Sequence, residues 1–414
     1  MTNKIAALRE PSTALLNNPA ALQPTQQDWQ TSEGGVETRS DLEVRIFSSI
    51  ESITPGEWDS LCGEHAVTRS HDYLRAVEAA RIEGITHYYL RVYDASGNAI
   101  AQAPAYVVVT DFGQLMPRFL IPALTRIRAW WPSLLTARIT ECATPLFAGL
   151  ALSPNEAVAR PAVIAALERA MNTIAKSENS RLLVFRDFFA HERDTLDLLK
   201  GVGYKCVNNL PLARIRVQWG TYQDYLDSMR SRYRKDLRRR FRKAERLGQT
   251  VKVVENFAGD AEQWSRQAEV IYCQAAGFKR EAVNAEYYRQ MNTCLGDNSK
   301  LLVVECEGKA MAHGMVIFDG ENAVATFFGR EAGPANGEWF LLMNEVVRMG
   351  IERRCRFINL GLGSYDAKSL VGAEEEPLYV FTRCTQPLLN GLIRLIADVM
   401  KRPPPTRNRP FRSG

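Results

Sequence analysis

A twelve-residue pattern occurs twice in this chain without a gap, and it constrains the fold more than any other feature. Residues 92–103 read VYDASGNAIAQA and residues 303–314 read VVECEGKAMAHG, which places Gly97 and Gly308 in register (308 − 97 = 211). Each copy has a strand, a polar turn with one glycine and a second strand, a pattern typical of a β-hairpin. Two such hairpins half a chain apart predict a duplicated domain with a ligand cleft between its halves, although similar patterns also match by chance.

Length and composition limit the class of protein. With 414 residues, 46% hydrophobic and 24% charged, the chain fits a globular protein of two or three domains. No apolar run reaches the roughly 18–20 residues that span a bilayer, so no transmembrane segment is predicted. The eight cysteines form no Cys-x-x-Cys pair. Without an export signal, this favours reduced thiols, a cytoplasmic location and no metal site.

Strands and helices alternate along both parts of the chain, which predicts an α/β protein with mixed sheets. Residues 1–40 lack the apolar core of a signal peptide and are predicted to be a disordered leader. Residues 41–217 and 218–398 form the two predicted halves. Residues 399–414 are a basic, proline-rich tail that is also predicted to be disordered.

For two apolar stretches, the sequence allows more than one environment. Residues 113–150 contain Trp130, Trp131 and several prolines, and they fit a buried connector, a substrate wall or a membrane-facing surface. Packing is preferred because tryptophan usually covers apolar area. Residues 387–400 form an amphipathic pattern followed by a basic tail, which allows peripheral membrane contact. A helix packed on its own domain is again the preferred interpretation.

The positive charge is concentrated in one predicted helix. Residues 230–246 carry ten Lys or Arg against two acidic residues, a balance of +8, so the rest of the chain is about −3 (5 − 8). Arginine suits bidentate recognition of phosphate, so Arg234, Arg238 and Arg242 are candidate phosphate-binding residues. The partner would be a nucleotide diphosphate, a CoA tail or tRNA; the alternative is a solvated face paired with acidic loops. One apolar stripe predicts that the helix is docked: Met229, Tyr233, Leu237, Phe241 and Ala244.

A glycine-rich loop precedes a later helix. Arg330, Gly333 and Gly337 lie between a predicted strand and a helix N-terminus, where backbone N–H groups can bind phosphate. Such loops are also how most α/β proteins turn a corner. Glu338 in the first helical turn would repel an anion.

The last strand of the second half leads into residues 359–368, which read NLGLGSYDAK. In open α/β sheets ligands lie outside the carboxyl ends of strands, and glycines allow close backbone approach there. Lys368 is a candidate to bind a developing oxyanion, Tyr365 to donate a proton and Asp366 to orient either one. The alternative is that Lys368 and Asp366 form a surface pair.

These residues carry a family resemblance. The order strand, Arg330-x-x-Gly333-x-Ala335, helix, strand is similar to the CoA-pyrophosphate region of GNAT-type N-acyltransferases. Residues 198–204 look like the late leucine and Gly-aromatic signature of the same fold in the first half. The whole resemblance covers approximately residues 44–395.

A doubled version of that fold resembles the chain most. In Fem-type peptidyl aminoacyltransferases and the BioF2-like acetyltransferases, an arginine-rich helix (here residues 232–243) precedes the second hairpin. A glycine-rich strand end then leads to Tyr and Lys, matched here by Gly363, Tyr365, Lys368 and Gly372. The family usually places the Tyr and Lys side by side, whereas two residues separate them here.

The resemblance implies tandem GNAT-like domains of Fem-like architecture and an N-acyltransferase with a small-molecule or peptide amine as acceptor. The co-substrate would be acyl-CoA or aminoacyl-tRNA, with nothing permanently bound and no DNA partner. The loop at Arg330 favours acyl-CoA, whereas the doubled fold and the basic helix favour tRNA; acyl-CoA is preferred. Direct attack fits the lack of a Gly-x-Ser-x-Gly motif. His313 is either a proton acceptor or, preferably, a core histidine.

A function of another class also fits the sequence. A GNAT-like fold can bind without catalysing, because fold does not dictate function. The chain would then be a non-catalytic binding protein that recognises an anionic polymer or a nucleotide-linked sugar in envelope assembly.

Overall fold

Two mixed β-sheets carry the fold. The computed structural model describes residues 42–63, 65–116, 118–147, 153–154, 160–193, 196–274, 281–386, 408 and 410–411. The predicted leader (1–40), the segment 387–400 and most of the tail lie outside the described residues. Arg39–Gly414 forms one compact unit.

The strands, in chain order, are β1 (Glu43–Phe47), β2 (Ile85–Tyr93), β3 (Ala99–Asp111), β4 (Thr136–Cys142), β5 (Ser153–Pro154), β6 (Leu182–Phe189), β7 (Lys205–Asn208), β8 (Leu212–Arg216), β9 (Gln249–Val254), β10 (Ser299–Cys306), β11 (Lys309–Asp319), β12 (Asn322–Arg330), β13 (Phe357–Asn359), β14 (Glu374–Glu376) and β15 (Leu378–Cys384). The first sheet has the order β1-β2-β3-β4-β6-β15-β7, with β5 beside β3. The second has the order β14-β8-β13-β12-β11-β10-β9.

The helices are α1 (Pro55–Asp59), α2 (His71–Ala79), α3 (Ile121–Arg128), α4 (Arg160–Ser177), α5 (Ala190–Arg193), α6 (Leu198–Gly201), α7 (Tyr222–Ser228), α8 (Ser231–Arg246), α9 (Ala261–Gln274), α10 (Ala285–Leu295), α11 (Glu338–Glu352) and α12 (Tyr365–Ser369). No helix of the described chain is both long and apolar enough to cross a membrane.

The two sheets repeat one topology. In the first sheet, β1, β2, β3 and β4 pair antiparallel in sequence and β4 pairs parallel with β6. In the second, β9, β10, β11 and β12 do the same and β12 pairs parallel with β13. Both predicted hairpins therefore occupy the second and third strands of their sheet. Gly97 and Gly308 both adopt left-handed φ angles, +82° and +77°, as tight turns require.

The sheets also exchange one strand each. In the first sheet β15, the last described strand, lies between β6 and β7. In the second sheet β8 lies between β13 and β14, although it precedes every other strand of that sheet in the chain. Each predicted half, 41–217 or 218–398, therefore contains one strand of the other half's sheet.

Helices α2 and α10 join the two halves. One hydrophobic core runs through this contact and includes Trp58 of the first half and Tyr288 of the second. The Thr68 hydroxyl donates to the Asp319 carboxylate over 2.6 Å, across the same boundary. The cleft between halves that the repeat predicts is therefore largely filled by packed side chains.

Helices cover both faces of the second sheet. On β11, the His313 side chain meets α9, while the neighbouring Gly314 faces Leu342 of α11. The basic helix α8 packs on the α11 side through the predicted stripe, in which Met229, Leu237 and Ala244 are buried. The prediction of a docked helix is confirmed.

The β3–β4 connection differs from the expectation. Trp130 is 93% exposed and Trp131 is 60% exposed. The preferred interpretation that residues 113–150 are packed is therefore wrong for both tryptophans. Both residues follow the end of α3, in the exposed segment that returns to β4.

Candidate active site

The second sheet opens into a fork between β12 and β13. These strands pair over three residues, ending at Val324 and Asn359. Beyond that point β12 stays paired with β11 as far as Arg330, and the chain after Asn359 turns away. The Asn359 side chain is buried, and its Oδ1 has no hydrogen-bond partner among the described atoms. The fork is therefore a polar opening at the carboxyl ends of two parallel strands, where ligands bind in such sheets.

Lys368 lies at this fork. Gly361 has φ +76°, and a Cβ atom there would lie 3.9 Å from both the Ala325 carbonyl oxygen and the Lys368 Nζ. The Lys368 side chain is 6% exposed and donates a hydrogen bond to the Leu362 carbonyl oxygen over 3.0 Å. The turn after β13 thus folds the lysine back onto its own backbone, beside Gly361.

Within the described residues, Lys368 has no carboxylate partner, and burial lowers its pKa to about 8. Lys300, also buried, shows the ordinary arrangement, because its ammonium pairs with Asp297 and Glu255. A buried cation without a counter-ion costs free energy, and such groups cluster at functional sites.

Tyr365 and Asp366 occupy different surroundings. The Tyr365 hydroxyl donates to the Pro211 carbonyl oxygen over 2.7 Å, so the residue directly before the exchanged strand β8 helps to position it. The Asp366 side chain is exposed, and Lys368 and Tyr365 donate hydrogen bonds to backbone carbonyl oxygens. The geometry gives no support to an orienting role for Asp366. It also contradicts the alternative of a surface pair, because Lys368 is buried.

The corresponding fork of the first sheet is filled by an ionic cluster. Asp187 is the counterpart of Gly361, because each lies two residues after the end of the parallel pairing in its sheet. Asp187 has a φ angle of +70°. The fully buried Asp187 carboxylate accepts from Asn209 over 2.7 Å and pairs with Arg186 over 3.1 Å. A left-handed non-glycine residue carries a backbone cost, so this conformation is imposed by its surroundings. The first fork thus contains its own charges, which no sequence motif indicated.

The tail packs against the turn that carries Lys368. The Phe411 ring lies 4.8 Å from Trp219 and 5.6 Å from Tyr225, measured between centroids. Gly372 lies so close to Phe411 that a Cβ atom would overlap the ring. Asn408 donates to the Ser369 hydroxyl over 2.9 Å. The prediction that the tail is disordered is therefore wrong at these two residues.

Replacing Phe411 with alanine should destabilise the protein, because the ring fills the space between α7 and the turn after α12. We expect the free energy of unfolding to fall by about 2–3 kcal/mol, measured by urea denaturation. Phe119→Ala is the matched control, since that ring is exposed and its removal should change little. Equal urea midpoints for Phe411→Ala and the native protein would show that the tail does not hold this turn.

The glycine-rich loop is closed by its own arginine. Arg330 donates through Nη2 to the Gly333 carbonyl oxygen over 2.6 Å. Gly333 and Gly337 have φ angles of +135° and +99°, and Gly337 caps α11 without a side-chain bond. The loop therefore has the shape of a turn into a helix N-terminus, while the Arg330 guanidinium is partly used within it.

Glu338 occupies the N-terminal end of α11. Its side chain is buried; Oε2 accepts from the Asn336 N–H over 2.8 Å and Oε1 from Gln249 Nε2 over 3.4 Å. A carboxylate near a helix N-terminus is stabilised by the same N–H groups that would bind a phosphate. The predicted phosphate loop already holds an anion of its own.

The basic helix divides its arginines between structure and surface. Arg234 donates to the Asp227 carbonyl oxygen over 3.1 Å. Arg238 and Arg242 are exposed and have no acidic partner within the described chain. Arg240 was not among the predicted residues; its guanidinium lies 4.6 Å from the Phe340 ring and joins α8 to the first turn of α11. Its place beside the apolar stripe is the signal that could have identified it.

His313 is a core histidine, as preferred from the sequence. It is fully buried, with Nδ1 2.8 Å from Gln267 Oε1 and Nε2 2.8 Å from the Tyr288 hydroxyl. Burial lowers its pKa to about 3, so the ring is neutral. Because both ring nitrogens are bonded, His313 is not available to accept a proton from a substrate.

Comparison with known proteins agrees with this architecture. The FemAB-like family model, described as peptidoglycan biosynthesis and recognition, matches residues 49–352. The crystal structure of FemX is similar in fold, with a TM-score of 0.53 and 12% identity over 82% of this chain and 98% of FemX. The C-terminal domain of a putative lysylphosphatidylglycerol synthetase from Agrobacterium fabrum gives a TM-score of 0.49 and 13% identity, over 83% and 96% of the two chains. The predicted doubled GNAT-like fold is confirmed.

A curated relative is similar over much of the chain. It is the putative 8-amino-7-oxononanoate synthase 2 of Mycobacterium tuberculosis (strain ATCC 25618 / H37Rv), 26% identical over 349 residues. The match covers 80% of this chain and 44% of that protein. The chain therefore spans less than half the length of the curated relatives it matches.

Proposed function

Because this chain belongs to the FemAB-like family, and is thereby an acyltransferase of the GNAT-like superfamily, we propose that it transfers an acyl group to an amine at the fork between β12 and β13. The observation that carries this proposal is Lys368, a buried ammonium with no carboxylate partner in the described structure. The acceptor would be a primary amine on a small molecule or on a peptide such as a peptidoglycan precursor.

The reaction is a direct attack. The neutral amine nitrogen forms a bond to the acyl carbonyl carbon, and the carbonyl oxygen becomes an oxyanion. The Lys368 ammonium stabilises that charge in a site with little water, where a positioned donor is worth far more than in bulk solvent. The tetrahedral intermediate then collapses, the bond from carbon to the donor's leaving atom breaks, and the amine proton passes to that leaving group.

We infer that Tyr365 relays this proton. Tyr365 lies three residues before Lys368 on the same turn. Its hydroxyl donates to the Pro211 carbonyl oxygen, 2.7 Å away. The hydroxyl would accept a proton from the attacking amine and release its own from the Pro211 carbonyl oxygen to the leaving atom. Direct attack needs only such positioning and an oxyanion donor, without a covalent enzyme intermediate.

An aminoacyl-tRNA is the donor that these charges favour. Glu338 occupies the helix N-terminus where a CoA pyrophosphate would bind, and a second anion there would be repelled. Helix α8 instead offers exposed cations without acidic partners in the described chain, among them Arg238 and Arg242. This reverses the sequence-based preference for acyl-CoA, which did not weigh the burial of Glu338.

Acyl-CoA is the second candidate, and one observation favours it. The loop at Arg330 begins five residues after Ala325, which flanks the fork. At about 3.3 Å per residue, the loop would begin about 16 Å along β12 from Ala325, a separation suited to an extended pantetheine arm. Displacement of the Glu338 carboxylate would then be required.

Charge reversal on α8 should separate the two donors. In the Arg238→Glu, Arg242→Glu variant, we expect the affinity for aminoacyl-tRNA to fall at least 100-fold, because two phosphate contacts become repulsive. Turnover of acyl-CoA, followed by release of free thiol, should not depend on these residues. Binding of the native protein to tRNA should also weaken steeply as salt rises.

The matched control is Arg169→Glu, Lys176→Glu, which reverses two exposed basic residues on α4 of the first half. It should leave tRNA binding within a few-fold of the native value. If the control and the α8 variant bound tRNA equally well, α8 would be excluded as the tRNA-binding surface. If the protein released thiol from acyl-CoA at rates typical of enzymes and did not bind tRNA, the donor would be acyl-CoA and not aminoacyl-tRNA.

A further inference from the structure

We propose that the β3–β4 insertion, residues 112–135, docks the protein on the surface of an anionic lipid bilayer. The insertion contains two short 3-10 turns, α3 and the chain that returns to β4. Six of its large apolar side chains are exposed, while Leu124 is buried. The exposed ones are Phe119, Ile121, Ile127, Trp130, Trp131 and Leu135. This inference does not depend on the proposed donor or acceptor.

The polar contacts of the insertion face inward, the reverse of an ordinary surface loop. The Arg128 guanidinium binds Asp111 through Nη1 at 3.0 Å and the Leu134 carbonyl oxygen through Nη2 at 2.8 Å. The Asp111 carboxylate also accepts from the Gly113 N–H over 2.7 Å. These bonds fix the two ends of the insertion together, so the apolar side chains are held outward on an ordered element.

The charge of the insertion selects the partner. Residues 112–135 contain three arginines and no acidic residue. Asp111 neutralises Arg128, whereas Arg126 is exposed without an acidic partner in the described chain. Tryptophan with arginine on one apolar element is typical of segments that lie in the bilayer interface, where the indole rings reach the acyl boundary and the cations meet anionic headgroups.

A second copy of this chain fits the surface less well. A symmetric dimer would place the same patch against itself, so the arginines of the two copies would face each other without acidic partners. Trp130, at 93% exposure, projects from the surface. A fluid bilayer accepts such a projection without a preformed pocket.

Vesicle co-sedimentation of the full chain tests the proposal. We expect binding to vesicles of phosphatidylcholine mixed with phosphatidylglycerol, and much weaker binding to phosphatidylcholine alone. The Trp130→Ser, Trp131→Ser variant should lower the partition coefficient at least about 100-fold, since two large side chains lose their burial. Vesicles with brominated acyl chains should quench tryptophan fluorescence of the native protein but not of Trp130→Phe, Trp131→Phe.

The control variant is Val202→Ser, Leu247→Ser, which removes two exposed apolar side chains outside the insertion and should bind vesicles normally. Circular dichroism melts establish that every variant is folded. Failure of the native protein to bind anionic vesicles, or equal binding by the tryptophan variant, overturns the proposal. A dimer in sedimentation that the tryptophan variant abolishes, without vesicle binding, would assign the patch to a second copy.

Discussion

Replacement of Lys368 by methionine is expected to lower kcat by about 10²–10³ while the protein stays folded. Methionine preserves much of the volume but removes the charge that stabilises the oxyanion, and loss of one such donor typically has this effect. Because the interaction strengthens in the transition state, kcat should fall more than KM changes. The assay is steady-state kinetics in which the concentration of the active donor is varied.

Lys300→Met is the matched control for this prediction. Lys300 is also buried, but Asp297 and Glu255 hold its ammonium on β10, away from the fork. We expect this variant to change stability little, because Asp297 and Glu255 are exposed and stay hydrated without the ammonium, and to retain native kcat. If both variants lost activity equally, the effect would be one of folding, and Lys368 would have no special role.

The pH dependence provides a second readout on Lys368. Its pKa is lowered to about 8 by burial, so the oxyanion-binding charge disappears as pH rises through this value. Activity should therefore decline above about pH 8, and Lys368→Met should lack that decline. A rise in activity through pH 8 would instead identify the neutral amine as a general base.

Stability should change in the opposite direction over the same range. The unfolded lysine has a pKa near 10.4 and the folded one about 8, so between these values the unfolded state binds more protons. The free energy of unfolding contributed by this group therefore rises with pH from about 8 to 10.4. Lys368→Met should remove that slope.

The repeat was readable in the sequence because it is local. Each hairpin places its glycine within twelve residues, and its turn chemistry depends on adjacent side chains. The exchange of β8 and β15 between sheets was not predictable in the same way. Both are short strands whose partners lie far away in the chain, and nothing in their own residues specifies which sheet they join.

In the candidate site too, local features were predictable from the sequence and long-range ones were not. The position of Lys368 after a glycine-rich strand end was predictable, but its burial depends on left-handed residues at Gly361, Gly363 and Ser364, which fold the turn inward. The same turn leaves Asp366 in solvent, so spacing alone could not assign its environment. Composition likewise could not show that Trp130 points outward, because that follows from inward bonds made by Arg128.

The second large effect is expected at Gly329 on β12. A Cβ atom at this position would overlap the His313 ring and lie 2.7 Å from the backbone nitrogen of Ala268 in α9. Backbone atoms cannot rotate away as side chains can, so α9 must move from the sheet or β12 must bend. Overpacking of this kind costs 1–3 kcal/mol or more, and we expect Gly329→Ala to lower the free energy of unfolding by about 3 kcal/mol.

Urea denaturation of Gly329→Ala and Gly259→Ala measures this effect. Gly259 has no atom within 4 Å of a Cβ position and has an ordinary φ angle, so its substitution should change stability little. A native urea midpoint for Gly329→Ala would mean that α9 lies farther from β12 than the structure places it. Because β12 ends at Arg330 and leads into the loop before α11, a displaced α9 should also weaken any binding of acyl-CoA at that loop, whereas Gly259→Ala should leave it unchanged.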